Sequence, residues 1–133
     1  MGYSQWVSIT LQNSSGQDIQ TANVNLPWGK FYADDNKGRD IPASSVVDQD
    51  VPAGDSFTVY SCGREDSPTG TEGSFDVVDA SSGAVIRTIS WHCPYVGDNT
   101  FKLLDSNDAW AVDTSGFSQH GALGQITVAF SQF

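Results

Sequence analysis

A chain of 133 residues with 38% hydrophobic and 17% charged residues is long enough for one domain with a real core and too short for two ordinary ones. Sixteen acidic against six basic residues give a formal net charge of −10, a field that repels phosphate backbones and argues against nucleic acid as a partner. The same balance disfavours purely electrostatic docking on anionic membranes, which leaves zwitterionic lipids and neutral sugars as compatible ligands.

From the N-terminus, Met1 to Trp6 lacks a basic region followed by an apolar stretch, so no signal peptide is expected. The expectation is a protein that is cytoplasmic, is exported by an unconventional route, or has had a signal trimmed away. Gly2 is followed by Tyr3, with Trp6 where a myristoylation signal needs Ser or Thr, and no apolar run approaches spanning length. Val7, Ile9 and Leu11 then alternate with Ser8, Thr10 and Gln12, the pattern of a half-buried strand. Further alternations follow at Phe57 and Val59 against Ser56, Thr58 and Tyr60, and at Phe75 and Val77 against Ser74 and Asp76. Ile86, Thr88 and Ser90 are expected to face opposite Val85, Ile89 and Trp91, and Trp110 sits in a strand pattern from Asp108 to Asp113. The last strand sets Ile126, Val128 and Phe130 against Gln125, Thr127 and Ala129. Turn clusters rich in Gly, Asn, Asp and Ser stand between these runs, including residues 13–18, 34–38, 52–55, 67–70, 79–83, 96–99, 105–108 and 115–117. Short strands separated by recurrent turns, with no window of helical period, point to an all-β sandwich or barrel.

Catalytic groups are poorly supplied. His92 neighbours Cys93, but adjacent strand residues face opposite ways, so the two cannot form a nucleophile–base pair; His92 reads as an ordinary surface or edge histidine. There is no nucleophile elbow, phosphate-cradling loop or zinc-protease helix motif, and neither an enzyme nor a cofactor is expected. Asp34, Asp35, Asn36 and Asp40 lack the ligand alternation, glycine and terminal glutamate of a calcium loop and read as a solvated turn. Cys62 and Cys93 are too few for a disulfide scaffold or a zinc site and read as buried free thiols. Asn13-Ser14-Ser15 fits a glycosylation sequon, which has no consequence without a secretory signal.

The aromatic residues carry more information. Trp91 and Trp110 end or occupy apolar alternations and read as core. Trp6 opens its strand after polar residues, and Trp28 stands between Pro27 and Gly29-Lys30, where it would be presented at a rim. Tyr95, between Pro94 and Gly97, has the context of a loop tip.

These residues resemble the aegerolysins, small β-sandwich proteins of fungi and bacteria that recognise membrane lipids. The resemblance runs through Tyr3-Ser4-Gln5-Trp6-Val7, Trp28-Gly29-Lys30, Ala33-Asp34 and Lys37. It is densest from Cys62-Gly63-Arg64-Glu65-Asp66 to the block Gly70–Asp79, then continues with Trp91-His92-Cys93-Pro94 and Gly121–Val128. It implies an all-β, single-domain antiparallel β-sandwich over residues 1–133 and lipid recognition rather than catalysis. The implied partners are sphingolipid-containing membranes: sphingomyelin with cholesterol, or ceramide phosphoethanolamine. A perforin-like protein would complete a two-component cytolysin. The family's lipid-facing aromatics match Trp6 and Trp28, and a further tryptophan corresponds to Tyr95. A lysine placed to meet the lipid phosphate corresponds to Asp98, which removes a phosphate partner and leans the expected headgroup towards ethanolamine. Half-burying three such rings gives about 6–8 kcal/mol gross at ~25 cal/mol per Å2, enough for reversible docking at a surface. From other classes, a carbohydrate-binding module would also present rim aromatics on a β-sandwich. A hydrolase ranks third, since no carboxylate pair can be placed.

Overall fold

In the computed structural model, which describes residues 5–33, 36–64 and 70–132, the period-two patterns of the sequence lie in strands, except that Asp108 and Ala109 form a turn before the strand that begins at Trp110. The strands are β1 (Trp6–Asn13), β2 (Ile19–Trp28), β3 (Lys30–Ala33), β4 (Asn36–Ile41), β5 (Asp50–Val51) and β6 (Ser56–Cys62), then β7 (Thr71–Asp79), β8 (Val85–Cys93), β9 (Thr100–Leu104), β10 (Trp110–Ser115) and β11 (Gly124–Gln132). One turn of 3-10 helix at Ala43–Ser45 lies between β4 and β5. Two sheets result, in the orders β10-β11-β1-β6-β3-β4 and β5-β2-β7-β8-β9.

The expected antiparallel sandwich needs one correction. Among the described residues all pairings are antiparallel except β1 with β11, which run parallel from Val7 beside Gly124 to Asn13 beside Phe130. Hydrophobic alternation gives a strand its faces but not its direction, so this pairing leaves no local signal.

The inward faces meet in one apolar layer. Val7, Ile9 and Leu11 of β1 and Ile126, Val128 and Phe130 of β11 pack with Phe75 and Val77 of β7 and Ile89 and Trp91 of β8. Each fully buried side chain of this kind is worth about 1.5–3 kcal/mol relative to exposure. Trp91 and Trp110 are both core residues as expected, and Trp91 meets Phe31 and Phe75 edge-on at centroid distances of 6.3 and 6.0 Å. The alternation expected along β8 breaks at its start. Val77 pairs with Arg87 but Val78 with Val85, so Ile86 is an extra residue in a β-bulge. Ile86 and Ile89 are therefore both buried, while Thr88 and Ser90 are only partly so. β2, which shows no clean alternation, is irregular for the same kind of reason: its register to β7 shifts on both sides of Asn25.

β4 begins at Asn36, inside the segment expected to be a turn. Of the candidate calcium ligands, Asp34 and Asp35 lie outside the described residues, and the Asp40 carboxylate accepts a hydrogen bond from the Lys30 ammonium. Asn13, the sequon residue, is buried and donates its amide to the carbonyls of Gln17 and Val51.

The chain passes from one sheet to the other at Trp28-Gly29-Lys30. Trp28 ends β2, Lys30 begins β3, and Gly29 between them has φ +95°. A Cβ on Gly29 would stand 2.6 Å from the Cys62 carbonyl oxygen and 2.9 Å from the Thr71 side chain. Here a chain of hydrogen bonds links the sheets. The Trp91 indole N–H donates to Thr71 Oγ1 at 3.1 Å, and Thr71 Oγ1 and Ser61 Oγ are 2.6 Å apart. Since Ser61 spends its single proton on the Lys30 carbonyl at 2.9 Å, the shared proton belongs to Thr71. The Trp91, Thr71 and Ser61 side chains each have a partner here.

Cys62 and Cys93 are buried free thiols, as expected. Burial pushes the Cys62 thiol from its ordinary 9.0 up to about 11, although Lys30 and Lys37 pull the other way. Burial also raises Cys93.

Gly29→Ala is expected to lower unfolding free energy by about 3 kcal/mol, through a disallowed φ and a clash with backbone, measurable as a shifted urea midpoint. A second outcome concerns pH. Below pH 9 the Cys62 thiol is protonated in folded and unfolded chains alike; above it only the unfolded thiol ionises readily, so stability falls between 9.0 and about 11. Urea midpoints at about pH 8 and about pH 10.5 should therefore fall less in Cys62→Ala than in wild type.

Candidate functional site

Strand directions bring the candidate residues to one end of the sandwich. Cross-strand pairing aligns Trp28 with Glu72, Glu72 with His92, and His92 with Thr100. This row projects from the outer face of the five-stranded sheet, because Thr71, Trp91 and Cys93 on either side of it are buried. On the other sheet Trp6 pairs with Cys62, which also pairs with Lys30. Gly29 joins the two rows. Trp6 and Trp28 thus share one end of the molecule but stand on the outer faces of different sheets.

Trp28 and Tyr95 are brought together. With exposures of 54% and 36%, they flank an open cleft of about 180 Å3 whose walls include Glu72, His92 and Pro94. Gly70 sets the approach of the two strand ends that carry it. A Cβ there would stand 1.7 Å from the Cys93 carbonyl oxygen, so only glycine lets the start of β7 lie against the Cys93-Pro94 turn. His92 Nε2 lies 3.9 Å from Glu72 Oε1, and both side chains are partly open to solvent. Two aromatic side chains and a carboxylate lining one cleft are groups that can attract an organic cation, through ring quadrupoles and charge-assisted hydrogen bonding. Nucleophilic chemistry is not built here: Cys93 is buried with its Sγ 3.3 Å from the Gly121 carbonyl oxygen, while His92 faces outward.

Trp6 lies outside this cleft. It is half-buried, and the Lys37 ammonium sits 5.0 Å from its ring centroid. The Lys30 ammonium holds β4 over this face by donating to the Lys37 carbonyl at 2.6 Å and to Asp40. Asp98 also lies away from the cleft walls, with its carboxylate 3.2 Å from His120 Nδ1. The loops carrying these two residues are tied together by Asn99. Its backbone N–H donates to Gln119, and its amide donates to the carbonyls of Ser118 and Gly121 at 2.9 and 3.0 Å.

The sequence patterns do not single out Glu72, Val96 or Phe117, whereas His92 is exposed on β8, in keeping with a surface or edge histidine. Glu72 and His92 enter the site only through the β2-β7-β8 register, which no local pattern reveals. Val96 and Phe117 carried a usable signal, an apolar residue inside a Gly-rich turn cluster. Among the described residues, the large hydrophobics that remain exposed are Trp28, Tyr95, Val96, Phe117 and Leu104. All but Leu104 stand at this end.

The pattern of the family described as Aegerolysin matches residues 4–133. Aegerolysin Aa-Pri1 of Cyclocybe aegerita is 43% identical over 129 residues, covering 95% of this chain and 89% of that protein. Ostreolysin A6 of Pleurotus ostreatus is 37% identical over 131 residues, covering 96% of this chain and 95% of its own length. Among solved structures, the RahU protein, crystallised in complex with a TRIS molecule, is similar with a TM-score of 0.90 at 32% identity, covering 98% of this chain and 97% of that one. This chain belongs to the aegerolysin family.

Proposed function

We propose that this protein docks peripherally on membranes and recognises a sphingolipid headgroup, either ceramide phosphoethanolamine or sphingomyelin in the presence of cholesterol. We further propose that it is the membrane-recognition half of a two-component cytolysin, with a perforin-like protein as the pore-forming partner. The observation that carries the reading is the gathering of exposed Trp28, Tyr95, Val96 and Phe117 at one end of a strongly acidic molecule, around a cleft containing Glu72. Amphipathic Trp and Tyr rings favour the headgroup level of a bilayer. Among the described residues no helix is long and apolar enough to cross a membrane, and the proposed mode is docking at the surface.

Within this reading each candidate residue has a role. Trp28 and Tyr95 clasp the ammonium end of the headgroup, and the Glu72 carboxylate meets its charge. Ethanolamine donates hydrogen bonds to that carboxylate, whereas choline offers only charge and cation–π attraction, so the cleft favours ethanolamine. Trp6 contributes its ring from the other sheet, shedding the Lys37 contact as it enters the interface. Asp98 stands at the edge of the headgroup layer with its carboxylate against the His120 ring. Membership of the aegerolysin family supports binding over catalysis, as does the outward His92 beside a buried Cys93.

Pelleting with vesicles of ceramide phosphoethanolamine, sphingomyelin–cholesterol or phosphatidylcholine tests the reading. Wild type should bind both sphingolipid vesicles, the ethanolamine form more tightly, and phosphatidylcholine least. Trp28→Ala and Tyr95→Ala should each weaken binding about 10-fold with unchanged melting temperature, and Glu72→Gln should narrow the headgroup preference. Equal pelleting on all three vesicles would remove headgroup recognition. Absence of pelleting together with saturable hits on a glycan array would favour the carbohydrate-binding alternative.

A further inference from the structure

The β10–β11 connection, residues 116–123, carries no charged side chain apart from what His120 can acquire. No Asp, Glu, Lys or Arg occurs after Asp113 in a protein that carries sixteen carboxylates. The connection lies at the same end as the cleft, since Ser115 pairs with Thr127 and Gly124 with Val7, beside Trp6. At its start, Gly116 has φ +98°, and a Cβ there would stand 2.0 Å from the Gln125 carbonyl oxygen. This tight turn leads into Phe117, which is left 48% exposed.

The connection is also held firmly against the loop that carries Tyr95. Asn99 is 5% exposed and gives the connection three hydrogen bonds, to the carbonyls of Gln119, Ser118 and Gly121. In the paired loop Val96 is 83% exposed, and Asp98, the one carboxylate between the two loops, is matched by His120 at 3.2 Å. Two loops pinned to each other therefore present large apolar side chains to solvent beside a single carboxylate, Asp98, and no Lys or Arg. Side chains that protrude singly from turns suit a fluid interface, which needs no complementary shape, better than a folded protein partner.

We propose that the Phe117 loop is a second membrane-contacting loop, which places Phe117, together with Val96, in the lipid interface beside the headgroup cleft. This inference rests on the reading of the cleft as a lipid-headgroup site and enlarges it. The cleft supplies headgroup choice, and the paired loops supply apolar depth that is indifferent to headgroup.

The test uses the full chain with an environment-sensitive fluorophore on Phe117→Cys; the native Cys62 and Cys93 are buried and escape labelling. The same label on exposed Gln17→Cys, at the opposite end, is the control. On ceramide phosphoethanolamine and sphingomyelin–cholesterol vesicles the label at position 117 should shift to the blue and be quenched by shallow spin-labelled lipids, while that at 17 stays water-like. Phe117→Ser and Val96→Ser should each weaken pelleting about 5- to 10-fold on both vesicles, leaving headgroup preference and melting temperature unchanged. If wild type pellets but the label at 117 stays water-like and Phe117→Ser binds as wild type, the second loop is overturned and the cleft reading stands. Failure of wild type to pellet on either vesicle overturns both.

Discussion

Where Trp28, Gly29 and Lys30 carry the chain between sheets, the sheets are joined by hydroxyls as well as by the apolar contact of Phe31 with Trp91. The Thr71 and Ser61 oxygens lie 2.6 Å apart, with the Trp91 indole on one side and the Lys30 carbonyl on the other. Buried polar groups are tolerated only when satisfied, and this relay leaves none of its members wanting. It also explains why Gly29 must lack a side chain. The consequence reaches the surface: the crossing ends β2 at Trp28, which is left exposed, while Lys30 begins β3 buried beneath β4. The aromatic end of the molecule is in this sense built on a close internal crossing.

Charge is distributed unevenly between the two ends. The turns at the far end carry Asp18, Asp50, Asp55, Asp79, Asp105 and Asp108, whereas the cleft end mixes Lys30, Lys37 and Arg64 with Asp40, Glu72 and Asp98. A net charge of −10 keeps such a molecule soluble and away from anionic surfaces in general. An apolar end with one carboxylate in its cleft suits a zwitterionic headgroup that presents its ammonium outward. Under the proposed function, Glu72 would therefore contribute selectivity, while Trp28, Tyr95, Val96 and Phe117 would contribute most of the binding free energy.

Much of the architecture was legible in the residues. Period-two runs marked β1, β6, β7 and β11 because one face of each is buried, and Trp91 and Trp110 read as core because they continue such runs. β2 was not legible: two register shifts erase its alternation, although it delivers Trp28. The β8 bulge at Ile86 and the parallel β1–β11 pair were hidden for a related reason, since both are properties of pairing rather than of a single strand. The candidate site divides along the same line. Trp28 and Tyr95 announced themselves as aromatic residues beside Pro and Gly, and they line the same cleft. Glu72 and His92 join them only through cross-strand register, and Asp98 was visible as a charge without any sign that His120 faces it.

The central claim is that one end of the sandwich, and not the other, meets the bilayer. Hydrogen–deuterium exchange of the intact protein with and without ceramide phosphoethanolamine vesicles addresses it directly, because amides report without mutation or label. The account predicts slowed exchange on vesicles at residues 26–30, 92–99 and 116–123, with no change in the far turns at 13–18, 52–55, 79–84 and 105–109. Protection confined to those far turns, or spread evenly over both ends, would contradict it.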